Sequence, residues 1–160
     1  MKKLPSLAFV ILLCILLGAA GEGDRLFFPQ NNFSIAPLEA KFAGETYQVL
    51  VMFLPSSGGF APNVNVQVQP FPGTIKEYVD LSRRQFQAVG ITVLSEQITQ
   101  TSAIWEYSGS LEDRKLHWYA RAERAGEGKV YLITATAAEP QWNTHAAKLK
   151  TCVDSFRLEK

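Results

Sequence analysis

An α+β fold in one domain is what the sequence predicts, and three observations carry it. Short stretches rich in Val, Ile, Thr, Tyr, Phe and Trp recur between Phe33 and Ala137. A capped amphipathic helix interrupts them after Thr74, and a second amphipathic stretch follows the last of them after Pro140. The final three strands succeed one another across short polar turns, which is the connectivity of an antiparallel meander. The chain has 160 residues, 47% of them hydrophobic and 19% charged. That suits one globular domain of roughly 100 to 200 residues and excludes a disordered chain, a collagen and a multi-pass membrane protein.

The N-terminus is expected to be a cleaved export signal. Lys2 and Lys3 precede an apolar run from Leu7 to Leu17, and Gly18-Ala19-Ala20 supplies the small residues of a cleavage site after Ala20. The run is about 11 residues, short of the roughly 20 that span hydrocarbon. Cys14 lies in mid-run after Leu12-Leu13, where a lipidation signal has a small residue. Removal of residues 1–20 leaves 14 basic against 15 acidic side chains, so nothing in the mature balance is built to neutralise a nucleic-acid backbone. It also leaves Cys152 as the one thiol, so stability must come from a core and not from an intrachain disulfide.

Residues 21–32 read as an N-terminal arm and residues 33–160 as the domain. Phe33 to Ile35 is a short strand ended by Pro37. Thr46 to Leu54 is almost continuously apolar, the pattern of a central strand covered on both faces. After Pro55 and a Ser-Ser-Gly-Gly turn, Asn63 to Gln69 alternates: Val64, Val66 and Val68 face one way, and Asn63, Asn65, Gln67 and Gln69 the other. Thr74 and Glu77 have capping-box spacing, so a helix begins there. Its apolar stripe runs through Ile75, Tyr78, Val79, Ser82, Phe86 and Val89 to a glycine stop at Gly90. Strands follow at Ile91 to Ile98, Ala103 to Gly109, Lys115 to Arg124 and Lys129 to Ala137. A closing helix over Gln141 to Ser155 places Trp142, Ala146, Leu149, Val153 and Phe156 on one stripe.

This order of elements carries familiar strings: Val51-Met52-Phe53-Leu54-Pro55, Phe60 to Val66, Thr74 to Ser82, Trp105-Glu106-Tyr107-Ser108-Gly109, Lys129 to Ala137 and Val153-Asp154-Ser155-Phe156. On these, spanning about Phe33 to Leu158, the sequence resembles the PsbP/Mog-like family and DcrB-type periplasmic proteins of unknown function. The resemblance implies a three-layer α/β/α sandwich on a mainly antiparallel sheet of about six or seven strands. It also implies an accessory or binding role in place of catalysis. Many relatives carry a Pro-x-Gly-Trp turn after the first strand where this chain has Ala36-Pro37-Leu38-Glu39-Ala40, so no binding feature transfers there. The photosystem and nuclear roles of family members do not transfer either, because their partner-binding residues have no match here.

The residues argue against the common catalytic constellations. Cys152, His145 and Asp154 are the nearest approach to a thiol nucleophile set, but Cys152 and His145 stand two helical turns apart, roughly 10 Å by rise. His117 and His145 are the only imidazoles, and no zinc or calcium motif accompanies them. Tyr107-Ser108-Gly109-Ser110 lacks the leading glycine of a nucleophile elbow, and no helix follows Gly126-x-Gly128 to make a dinucleotide site. Glu106 with Glu112, or Glu96 with Asp113, has no spacing that brings either pair together as acid and base. Asn32-Phe33-Ser34 matches the glycosylation sequon, which has meaning only in a eukaryotic host.

Two surfaces are candidates for binding. Alternation puts Lys115, His117, Tyr119 and Arg121 on one face of their strand, a mixed basic and aromatic surface suited to an acidic or carbonyl-rich partner. Asn63 and Asn65 lead a row of amides able to donate and accept. Substitutions at His117, Tyr119, Arg121, Asn63 and Asn65 are expected to alter binding and not folding. The sequence thus predicts a periplasmic or secreted, non-enzymatic accessory protein without cofactor or metal. It would bind a protein or envelope component, and would have neither a nucleic-acid partner nor a membrane span after cleavage. The alternatives are a small hydrolase, a lipid or small-molecule carrier, or a domain tethered by an uncleaved leader.

Overall fold

The computed structural model describes residues 25–38, 44–126 and 128–159. The expected leader, residues 1–20, and residues 21–24 of the expected arm lie outside the described residues. The chain divides into two compact units, Met1–Lys41 and Phe42–Lys160.

In the first unit, β1 (Leu26–Phe28) and β2 (Phe33–Ile35) pair antiparallel, with Phe28 opposite Phe33. A single 3-10 turn over Pro29–Asn31 joins them, and Asn32 closes it at φ 55°, a left-handed conformation that asparagine tolerates. The Phe28 and Phe33 rings stack at 4.7 Å, and Arg25 donates to the Ser34 hydroxyl and carbonyl. The strand expected at Phe33 to Ile35 therefore exists, but its partner is the arm and not the main sheet.

The second unit is built on six antiparallel strands: β3 (Tyr47–Phe53), β4 (Asn63–Pro70), β5 (Thr92–Ile98), β6 (Ser102–Leu111), β7 (Arg114–Ala125) and β8 (Lys129–Ala138). Their order across the sheet is β3-β4-β8-β7-β6-β5. The meander β6-β7-β8 occupies the middle, and β4 adds to its outer side. α1 (Ile75–Ala88) and α2 (Glu139–Asp154) cover opposite faces, giving the α/β/α layering that the family resemblance implied.

β3 corrects one expectation. Its continuous apolar run suggested a central strand, yet it forms the sheet edge, with Val49 57% and Phe53 66% exposed. Hydrophobicity alone does not choose a strand's neighbours, and a bulge at Val49 breaks the alternation that would have marked a one-sided strand. The opposite edge strand, β5, is bulged at Leu94. Bulges at both edges twist them away from regular pairing with other chains.

α1 starts as the capping box requires: the Glu77 amide donates to Thr74 Oγ1 and the Thr74 amide donates to Glu77 Oε2. It stops at Gly90, whose φ of +70° is costly for a residue with a Cβ. Its buried side chains Ile75, Tyr78 and Val79 cluster with Ala103, Trp105 and Tyr107 of β6, Ala120 and Ala122 of β7 and Val130 of β8. Arg83 of α1 pairs with Glu96 of β5, and the Trp105 indole donates to the same carboxylate at 2.8 Å. That guanidinium, reinforced by the indole, holds Glu96 below the usual carboxylate range against the effect of burial.

α2 begins two residues earlier than expected, with Pro140 in its first turn, where the missing N–H removes no helical bond. Trp142, Leu149 and Val153 bury against Val64 of β4 and Ile133, Ala135 and Ala137 of β8. Small residues at the β8 positions let the helix approach the sheet closely. Gln141 donates to the Ser57 and Phe60 carbonyls, and Arg114 donates to the Gly59 carbonyl at 2.7 Å, so the β3–β4 loop is tied to both α2 and β7. Because Leu149 is almost fully buried, Leu149→Ala is expected to cost about 2–5 kcal/mol, and Leu158→Ala, at a more exposed position, less than about 1 kcal/mol, in urea unfolding.

Candidate functional site

β7 alternates as its sequence pattern predicts, and each side leads to a different environment. Leu116, Ala120 and Ala122 are buried on one side, while His117, Tyr119 and Arg121 point to the side covered by α2. Lys115 is exposed near the strand's start, beside a shallow depression of about 300 Å³ lined with Thr92, Ser108, Gly109, Ser110 and Glu139.

His117 is only 6% exposed. Its Nε2 lies 3.0 Å from Glu106 Oε1 on β6 and its Nδ1 lies 3.1 Å from Glu139 Oε2 on the first turn of α2. Carboxylates only accept, so each of these bonds needs a proton on the ring nitrogen that makes it. The ring stacks on the Trp142 indole at a centroid distance of 4.0 Å and 16° between planes. The expectation that substitution here would spare folding is therefore corrected. Sequence alternation set His117 on this face, but only the docking of α2 buried it.

Glu106 is the centre of the cluster. Its Oε1 also accepts from the Trp142 indole at 3.2 Å, and its Oε2 accepts from Lys150 Nζ at 2.7 Å. Burial opposes ionisation of this carboxyl, but the hydrogen bonds and charges of Lys150 and His117 outweigh it and hold it below the usual range. The Lys150 ammonium also lies over the Tyr119 and Trp142 rings, at 5.2 and 5.7 Å from their centroids.

Farther along β7, Tyr119 donates to Asp154 Oδ1 at 2.9 Å. Burial first, then the Asp154 carboxylate, pushes its phenol up to about 12. Arg121 donates to Glu123 at 2.8 Å and to the Asp154 carbonyl at 3.3 Å, placing a cation at the C-terminal end of α2. These residues form one polar seam between α2 and strands β6 and β7.

Asn63 and Asn65 lie on the other side of the sheet, because Val64, between them, belongs to the core under α2. The two predicted surfaces are therefore separate sites. Asn63 donates to the Ala61 carbonyl, Gln69 donates to Gln67 Oε1, and the Tyr78 hydroxyl of α1 donates to Gln69 Oε1 at 2.7 Å. Beside Gln69, a cleft of about 330 Å³ opens between α1 and the sheet. Local periodicity does not delimit this cleft. Its one signal was Ser82, a small polar residue on an otherwise apolar helical stripe.

The weaker constellations have other employment. Cys152 is half-buried against the α2 core, and burial pushes its thiol up, away from the nucleophilic thiolate. Asp154 serves Tyr119, Glu96 serves Arg83 and Trp105, and Glu106 serves the seam. Among the described residues, no three His, Cys, Asp or Glu side chains are grouped to hold a metal ion.

No protein-family model and no curated protein sequence matches the chain. Among solved structures, the crystal structure of PA94, a protein of unknown function from Pseudomonas aeruginosa, matches with a TM-score of 0.62 at 12% identity. The match covers 86% of this chain and 97% of that one, a likeness of fold. The solution structure of the cyanobacterial PsbP, CyanoP, from Synechocystis sp. PCC 6803 gives a TM-score of 0.47 at 13% identity, over 78% of this chain and 100% of that one.

The lowered ionisation of Glu106 has a definite pH consequence. Its carboxylate favours the folded chain above its ordinary value of 4.5, and that contribution is lost as pH falls through the lower folded value. Glu106→Gln is expected to reduce Tm at neutral pH and to shrink the drop in Tm between about pH 5 and pH 3, by calorimetry. His117→Ala, which removes the ring between two carboxylates, is expected to cost about 2–4 kcal/mol in urea unfolding; an unchanged midpoint would show that the seam contributes nothing.

Proposed function

We propose that this chain is an exported, non-enzymatic accessory protein of the cell envelope that binds a protein or another envelope component. The observation that carries the reading is the use made of His117. A general acid or base must reach a substrate proton. Here the imidazole is buried, bonded at both nitrogens and stacked on Trp142, so it serves the docking of α2.

Further support comes from the leader-like composition of residues 1–20, and the reading places the mature protein in the periplasm or outside the cell. Among the described residues, no helix is long and apolar enough to cross a membrane. The strings shared with DcrB-type periplasmic proteins favour kinship with that group within the PsbP/Mog-like fold. In this reading the protein needs no cofactor or metal and has no nucleic-acid partner. Its contact surface is the exposed end of the β7 face, where Lys115 stands beside Ser108, Ser110 and Glu139. Partner contact at that end reaches the polar seam through Glu139, which bonds His117.

Two measurements test the proposal. Mass spectrometry of the protein recovered from its host envelope is expected to find an N-terminus at Gly21; an intact Met1 would favour a tethered domain. In-cell crosslinking is expected to join Lys115 to one reproducible partner, and Lys115→Glu is expected to reduce that yield at least tenfold without changing Tm. Equal yield from the variant would remove this surface from the reading.

A further inference from the structure

We infer that the cleft between α1 and the sheet is a binding site for a small uncharged molecule made of a ring and an amide or hydroxyl group. It lies across the sheet from His117, Tyr119 and Arg121 and goes beyond the accessory role proposed above. Its volume, about 330 Å³, falls at the lower end of the roughly 300 to 1,000 Å³ of small-molecule pockets.

The walls specify the body of the ligand. Phe71, Tyr78, Phe86, Trp105 and Tyr107 line the cleft, with Leu132 on β8. These rings fix one another: Phe71 meets Tyr78 edge-on at 5.1 Å, Phe86 meets Trp105 edge-on at 6.3 Å, and Phe86 lies 4.7 Å from Tyr107. An aromatic wall already held in place favours a flat or compact ring, because little side-chain ordering is left for the ligand to impose.

The mouth specifies the polar group. The Tyr78 hydroxyl donates to Gln69 and the Ser82 hydroxyl donates to the Tyr78 carbonyl, so both oxygens keep lone pairs for a donor. Gln69 spends one amide hydrogen on Gln67 and keeps the other for an acceptor. Gln85, exposed at the rim of α1, offers both kinds of group. A ligand that both donates and accepts matches this set, as an amide or a hydroxyl does.

The absence of charge at the site specifies the ligand's own. Among the described residues, the side chains lining the cleft include no Asp, Glu, Lys, Arg or His. Burial keeps the Tyr78 phenol neutral, with its ionisation pushed up to about 12. An ion entering such a cleft would lose hydration and gain no counter-charge.

Benzamide and benzoate share a ring and differ in charge, so they separate these arguments. With the full-length chain, benzamide is expected to shift the Trp105 indole N–H resonance saturably, with a Kd on the order of 1–10 mM for a probe of this size. Benzoate is expected to bind at least tenfold more weakly. Gln85→Trp, a change at an exposed rim position, is expected to close the mouth and weaken benzamide at least tenfold with Tm unchanged, while Gln85→Ala retains binding. No saturable shift with benzamide, equal binding of benzoate, or benzamide binding unaffected by Gln85→Trp would each overturn the inference.

Discussion

Glu106 puts a carboxylate on the face of the sheet that α2 must cover, and the arrangement of that face depends on how the charge is met. Three donors converge on it: the His117 ring from the neighbouring strand, and the Trp142 indole and Lys150 ammonium from α2. Leaving a partly buried carboxylate without partners would cost several kcal/mol, so α2 is held in the one register that brings Trp142 and Lys150 over it. The apolar contacts of Leu149 and Val153 supply the adhesion, and the polar seam supplies the register. Glu139 extends the seam to the first turn of the helix, and Arg121 meets the carbonyl of its last residue, Asp154, so both ends are fixed to β7.

The other face is organised differently. α1 packs through aromatic rings and small strand residues, with polar ties to the sheet through the Arg83, Glu96 and Trp105 set and through the Tyr78 hydroxyl, which donates to Gln69. Rings of that size do not fill the angle between a helix and a twisted sheet as closely as the alanines of β8 fill the space under α2. The cleft beside Gln69 opens on this face, where the amide row of β4 meets the side of α1 that carries Tyr78 and Ser82. One sheet thus presents a tightly bonded polar seam on one side and a partly open aromatic cleft on the other.

Much of this arrangement was legible in the sequence because it depends on local periodicity. The capping box at Thr74 and Glu77, the glycine stop at Gly90 and the alternation of β4 and β7 appear in the structure as read. The position of β3 was not legible, since an apolar run states how much surface wants burial and not which strand supplies it. The pairing of Phe33–Ile35 with Leu26–Phe28 was missed for a related reason: three residues are too few for a pattern to show. Alternation sets His117 on the right face but not in its environment, because nothing local to β7 tells that Trp142, 25 positions later, will lie on its ring.

By itself the sequence determined the α+β class, the strand and helix boundaries to within a turn, and which side chains share a face. Those follow from hydrogen-bond geometry and side-chain direction, which repeat every two or 3.6 residues along the chain. Only the tertiary structure decided the strand order, the burial of His117 between Glu106 and Glu139, and the cleft between α1 and the sheet. Each of these joins residues distant in sequence. They are set by the shapes and charges that meet when the layers close, and no local pattern records that meeting.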